Sequence, residues 1–173
     1  MPIQSTLILS FVIIGTISES NALIIFSPVI MKAEGNFNDE DFDPHSYGAM
    51  SGLFTEGTWN SNIIQELEPK SDEIILENRT NFSAFQGTGL ASILKKNGIT
   101  HVFLGGFLTN VCVEETLREM SSLCPEISTY ALLDGCASKS LKEHEQSIQF
   151  VFPMFDTKCV TCADASRMLT TIS

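Results

Sequence analysis

Basic residues are scarce in this chain: 10 Lys and Arg stand against 21 Asp and Glu, a net charge of -11. That is the wrong sign for gripping a phosphate backbone, so no nucleic acid partner is expected. No cysteine occurs in the first 111 residues, and the five that follow, Cys112, Cys124, Cys136, Cys159 and Cys162, are odd in number. They do not make the paired framework of a small secreted fold. Cys159 and Cys162 form one CxxC in "DTKCVTCADAS", but no second pair supplies the other ligands of a closed zinc site. They read as strand and helix-cap packing residues. Histidine is limited to His45, His101 and His144, widely separated, and each reads as a surface or satisfied loop residue. No metal and no cofactor are expected. The apolar run Leu7 to Ile14 is too short to span a bilayer, so no membrane partner is expected either.

The first twenty residues, "MPIQSTLILSFVIIGTISES", leave two readings open. The run has signal-peptide length and Ser18 and Ser20 suit a small-residue cleavage site, yet no Lys or Arg precedes it. The sequons "NRT" at 78–80 and "NFS" at 81–83 fit an exported chain, but the pattern is common by chance. The other reading is a buried first strand. The free cysteines weigh against an oxidising compartment and favour a cytoplasmic location; a signal peptide would make the chain secreted. Residues 1–20 are thus set apart as an N-terminal segment, and 21–173 form one domain. A chain of 173 residues with 43% hydrophobic content can bury one core but not two comfortable ones.

From residue 22 onward, short apolar runs alternate with helical patterns. "ALIIFSPVIM" predicts a strand broken at Pro28, "NSNIIQELEP" a short helix stopped by Pro69, and "DEIIL" a strand. "TGLASILKKNG" predicts a helix with two lysines in its last turn and Gly98 at the C-cap. "THVFLGGF" reads as a buried strand, and residues 109–121 as a helix whose Val113, Leu117 and Met120 fall at i, i+4, i+7. "ISTYALLDG", "SLKEHEQSIQFVF", "KCVTC" and "ADASRMLTTI" continue strand, helix, strand, helix. This order predicts an α/β fold with a mostly parallel sheet covered by helices on both faces. The acidic stretch "GNFNDEDFDPHSYG", residues 35–48, matches no calcium-loop spacing and reads as a solvated loop.

Ligands of such sheets bind at the carboxyl ends of the strands. The stretch "GGFLTNVCVEETLRE", residues 105–119, is such an end, with Cys112 in the first turn of the helix that follows. A thiol there meets the positive end of the helix dipole and unpaired N–H groups, which favour the thiolate. The same N–H groups can hold the oxyanion formed when a thiolate attacks a carbonyl. Against this stands a plain alternative, since free cysteines are among the most buried residue types.

"GTW", "PKSDEIILENR", "FSAFQGTGLASILKKNGITHVFLGGFLTNVCVEETLRE" and "LLDGCAS" together resemble the isochorismatase-like cysteine hydrolases, over roughly residues 22–165. The resemblance implies a three-layer α/β/α sandwich, a homo-oligomer, and hydrolysis of a small-molecule substrate such as an amide, ureide or vinyl ether. The family's amidases use an Asp, a Lys and a Cys, the cysteine forming an acyl-enzyme. Carried over, the nucleophile is Cys112, the non-proline cis peptide is Phe107–Leu108, and the oxyanion donors are the N–H groups of Leu108 and Cys112.

Three departures accompany the resemblance. Arg79 stands where the family's lysine would be, four residues before Ser83. Arginine keeps the charge but does not readily give up a proton. The first Asp of the chain is Asp39, and the run "LILSFVII" carries Ser10 in place of the family's aspartate; Glu19 and Glu34 have no motif around them. About eight residues separate Ile14 from the strand at Ala22, fewer than a parallel crossover needs, so the usual first strand and helix are expected to be shortened or replaced. The zinc cluster of the related nicotinamidases, Asp-x-His-x-x-His, has no counterpart, and Trp59 reads as a packing anchor. Three readings follow: a cysteine hydrolase using Cys112 and Arg79 with an incomplete triad, an inactive relative serving as a binding or assembly subunit, or a shortened form of an active parent.

Overall fold

The computed structural model describes residues 10–17, 20–30, 54, 56–57 and 61–172. Glu19, Glu34, His45, Trp59 and the acidic stretch 35–48 lie outside them. One six-stranded sheet runs in the order β3-β2-β1-β4-β5-β6. Its strands are β1 (Ser10–Ile17), β2 (Ser20–Pro28), β3 (Ile74–Ile75), β4 (His101–Phe107), β5 (Ser128–Ala137) and β6 (Lys158–Val160). β2 and β3, β4 and β5, and β5 and β6 pair in parallel. β1 is antiparallel to both of its neighbours, β2 and β4. Only Ser18 and Glu19 separate β1 from β2, a length that permits a hairpin and forbids a parallel crossover. The first strand of the expected parallel order is therefore replaced by a reversed one, inside a mostly parallel sheet.

Side chains alternate along β4, and the alternation divides the core. Val102 and Leu104, both fully buried, join Ile25, Leu90, Leu94, Val113, Leu117 and Met120 on one face. Phe103 joins Tyr130, Leu132 and Ala165 on the other. The first face is covered by α1 (Leu90–Lys96) and α2 (Glu114–Leu123), the second by α4 (Cys162–Ile172). Helices thus lie on both sides of the sheet, as expected. Helix α1 ends as its sequence predicts: Lys95 and Lys96 occupy the last turn, and Gly98 follows with φ of 61°, a conformation that suits glycine. No helix among the described residues is long and apolar enough to cross a membrane.

Two expectations are corrected. Within "NSNIIQELEP" the stretch Gln65–Leu67 is a 3-10 turn with no buried residue, not part of an α-helix; without an apolar face to bury, so short a segment has little to hold it helical. "SLKEHEQSIQFVF" is not one helix. It runs as α3 (Leu141–Gln146), a π-helical turn (Ser147–Val151) and a 3-10 turn (Phe152–Phe155) with Pro153 near its start.

Candidate active site

β4 delivers the chain to the site. Its last peptide, Phe107–Leu108, is cis, as expected. A five-residue π-helical turn, Thr109–Val113, then leads into α2. The N–H groups of Val111 and Val113 both donate to the Leu108 carbonyl at 3.2 Å. The fully buried Thr109 hydroxyl lies 2.8 Å from His144 Nδ1 on α3, and the Ser138 hydroxyl donates to Asn110 Oδ1 at 2.9 Å. This turn is fastened to β5 and α3 on either side of Cys112.

Cys112 lies within the turn, at the carboxyl end of β4, and is 8% exposed. Arg79 reaches it from the segment after β3 and is itself 1% exposed. Its guanidinium donates through Nε to the Asn81 carbonyl at 3.1 Å, through Nη1 to the Ser27 carbonyl, and through Nη2 to the Phe82 carbonyl. Nη1 also donates to the Ser27 hydroxyl at 3.2 Å. The planar fork suits this set of acceptors, which a lysine could not span. The Arg79 guanidinium and the N–H groups of Leu108 and of Cys112 itself all favour the charged form of the Cys112 thiol.

The sequence-predicted Cys112, Arg79, Leu108 and Phe107–Leu108 peptide are thus brought together. Their electrostatic balance differs from the expectation. Burial pushes the Cys112 thiol above its ordinary value; the Arg79 charge and the two N–H groups pull it down, but less strongly. Desolvation of the thiolate outweighs the favourable end of the helix. Burial likewise lowers Arg79, to about 10, while the neighbouring sulfur pulls it the other way. Cys112 packs with the hydrophobic core cluster. Two surface cavities, one near Pro125, Ile127 and Lys158 and one near Ile30, Gln65 and Glu68, include neither Cys112 nor Arg79.

Register pairs Phe11 with Ser27, whose oxygens accept from Arg79, and pairs Ser10 with Pro28. Phe11, not Ser10, is the β1 residue opposite the arginine's acceptor. His144 is not a loop residue but lies in α3, tied to the site turn through Thr109. His101 lies beside Tyr130, with ring centroids 6.0 Å apart. Among the described residues no group of three or more His, Cys, Asp or Glu is arranged to hold a metal. Cys159 and Cys162 fall in β6 and at the start of α4.

Reading the motif around the cysteine missed Thr116 and Glu119, which hold the segment Ser83–Gln86 against α2. Their signal was present. They stand four and seven residues after Cys112, the spacing of one helical stripe.

The family model described as the Isochorismatase domain matches residues 14–164. The ureidoacrylate amidohydrolase RutB of Acinetobacter baylyi is 42% identical over 84 residues, 49% of this chain and 33% of that protein. RutB of Yersinia enterocolitica is 40% identical over 70 residues, 40% of this chain and 30% of that protein. The chain therefore matches about a third of the length of these curated relatives. An isochorismatase-like hydrolase from Alkaliphilus metalliredigens superposes with a TM-score of 0.62 at 32% identity, covering 80% of this chain and 69% of that one. A cysteine hydrolase from Pseudomonas syringae shares the fold, with a TM-score of 0.69 at 21% identity over 86% of this chain and 72% of that one. With the model match running through most of the sheet and across the cysteine turn, the chain belongs to the isochorismatase family.

Proposed function

We propose that this chain is a cysteine hydrolase domain for a small amide or ureide, with Cys112 as nucleophile, Arg79 as electrostatic support for its thiolate, and turnover limited by the missing carboxylate base. One observation carries the reading: the buried guanidinium of Arg79, held by Ser27, Asn81 and Phe82, acts on the Cys112 thiol in the turn that leaves β4. In the reaction the thiolate attacks the substrate carbonyl, and the N–H groups of Leu108 and Cys112 hold the oxyanion. Collapse breaks the carbon–nitrogen bond, the nitrogen taking a proton from solvent as it leaves as the amine, and the resulting thioester is hydrolysed by water to the acid and the free thiol. The curated relatives are ureidoacrylate amidohydrolases, which supports a substrate of the amide or ureide class. The domain works as a homo-oligomer by analogy with its family.

A second reading, a catalytically weakened relative that binds rather than turns over, is favoured by the apolar Phe11 opposite Ser27 and by the upward shift of the Cys112 thiol. One sample separates the two. Iodoacetamide labelling across pH, with the labelled cysteine identified, measures thiol reactivity; ammonia release from an amide and ureide panel measures turnover. We expect labelling at Cys112 and turnover below about one per second, the low end of ordinary enzyme rates. Turnover well within the ordinary range, abolished by Cys112→Ala, would show that another group supplies the base. Absence of both labelling and turnover would overturn the hydrolase reading in favour of binding.

A further inference from the structure

Arg79 does not hold itself at Cys112. Two of the carbonyls that accept its guanidinium, those of Asn81 and Phe82, belong to the segment that leads into Ser83. That segment is pinned to α2 by three hydrogen bonds. The Ser83 hydroxyl donates to Glu119 Oε2 at 2.6 Å, the Gln86 amide donates to Glu119 Oε1 at 2.8 Å, and the Ala84 N–H donates to the Thr116 hydroxyl at 2.9 Å. Ser83 and Thr116 are buried. The Ser83 oxygen also accepts from the Phe85 N–H at 3.2 Å, which closes the turn on itself.

We propose that Glu119, with Thr116, is a clamp that sets how closely the Arg79 guanidinium approaches the Cys112 sulfur, so that Glu119 is a positioning residue of the site. The proposal rests on the hydrolase reading above. It follows from the chain's path. α2 begins two residues after Cys112, so its start carries the sulfur. Further along, the same helix grips the segment whose carbonyls hold the arginine. Sulfur and guanidinium are thereby referred to one rigid element. Glu119 satisfies two donors with its two carboxylate oxygens, and charge-assisted hydrogen bonds of this kind are the stronger class. Neither Glu119 nor Thr116 acts on the thiol directly; the charged group that does so is Arg79.

The test is the rate of Cys112 alkylation by iodoacetamide as a function of pH in the wild type, Arg79→Ala, Glu119→Ala and the double variant, with thermal unfolding of each. We expect Arg79→Ala to move the profile to higher pH. Glu119→Ala should move it in the same direction by about half a unit, a roughly threefold loss of thiolate at fixed pH below the midpoint. The double variant should move no further than Arg79→Ala alone, because both changes remove one interaction. Glu119→Gln, which keeps one carboxyl-derived oxygen, should fall between. A profile unmoved by Glu119→Ala, where Arg79→Ala moves it, would overturn the clamp even if the melting temperature fell. Full additivity of the two shifts would overturn it as well. If Arg79→Ala leaves the profile in place, the electrostatic role of Arg79 falls and the clamp with it. Should Glu119→Ala fail to fold, Ser83→Ala and Gln86→Ala each remove one of its bonds and are expected to give smaller shifts of the same sign; no shift in either would sink the proposal.

Discussion

The two halves of the sheet obey different construction rules. From β4 to β6 each strand is followed by helical structure long enough to carry the chain back over a face, and the strands run parallel. Between β1 and β2 only two residues intervene, and the strands run antiparallel. Connection length alone decides the direction, yet the consequence reaches the chemistry. In the parallel half every strand presents its carboxyl end to the same edge, which is how β4 delivers Cys112. In β1 the direction is reversed, and register sets Val12 against Gly105 and Thr16 against His101. The amino end of β1, not its carboxyl end, therefore lies at the cysteine edge. A side chain placed for chemistry at the end of a parallel first strand has no equivalent there, and Phe11 takes the position opposite Ser27.

Restoring a carboxylate on the reversed strand tests this account most directly. General base assistance is typically worth on the order of a hundredfold to ten-thousandfold. Phe11→Asp is expected to raise amide turnover by about a hundredfold, the lower end of that range. Phe11→Asn, of similar size but without a base, should not raise it. Nor should Ser10→Asp, because successive strand positions face opposite sides of a sheet. Equal gains from positions 10 and 11, or none from either, would show that the reversal of β1 is not what limits the site. Ammonia release at saturating amide is the measurement.

Much of the parallel half was legible in the sequence. The apolar run in "THVFLGGF", the i, i+4, i+7 stripe Val113, Leu117 and Met120, and Gly98 just past the helix that ends at Lys96 each follow from a local rule that packing then reinforces. Cys112, Arg79 and the cis peptide were reached through the family resemblance, and the structure brings them together. What was not legible depends on balances between terms of opposite sign. The helix terminus argues for a thiolate and burial argues against it; only the structure shows Cys112 to be 8% exposed and which effect is larger. The spacing from Ile14 to Ala22 excluded a parallel crossover, but the pairing register, and hence the choice between Ser10 and Phe11, depends on cross-strand partners that no local pattern names. The helical stripe marked Thr116 and Glu119, but their partners were hidden for a related reason, lying more than thirty residues away.

A second test probes how tightly the parallel half is built where β4 and β5 meet irregularly, between Leu104 and Gly106. A side chain at Gly135 would bring its Cβ to 2.9 Å from Leu132 Cβ and 3.3 Å from the Cys162 sulfur. Overpacking of this kind typically costs about 1–3 kcal/mol. Gly135→Ala is therefore expected to lower stability within that range in urea denaturation. A Cβ at Gly105 would meet the Gly135 carbonyl and Leu132 Cδ1, both at 3.2 Å, so Gly105→Ala should also destabilise, by less. A neutral Gly135→Ala would mean that this junction yields easily and that the two halves of the sheet differ in direction but not in rigidity.

Alkaline pH also separates the halves, since every cysteine lies between residues 112 and 162. Cys136, buried where β5 pairs with the end of β4, has its thiol pushed up to about 12, chiefly by burial. An unfolded cysteine ionises near 8.5. Between those values the unfolded chain releases a proton that the folded chain keeps, so the contribution of Cys136 is full below the unfolded value and is lost as pH rises. The slope for one such group is at most about 1.4 kcal/mol per pH unit. Arg79, lowered to about 10 by burial, acts with the opposite sign at higher pH. It is present in the wild type and in Cys136→Ala alike, so the difference between them isolates the thiol. Denaturant unfolding from pH 8 to 10 should show stability falling more steeply in the wild type than in Cys136→Ala, whatever the offset caused by the smaller side chain. Parallel curves would show that Cys136 ionises as freely in the folded protein as in the unfolded one, and that the junction between β4 and β5 is open to water.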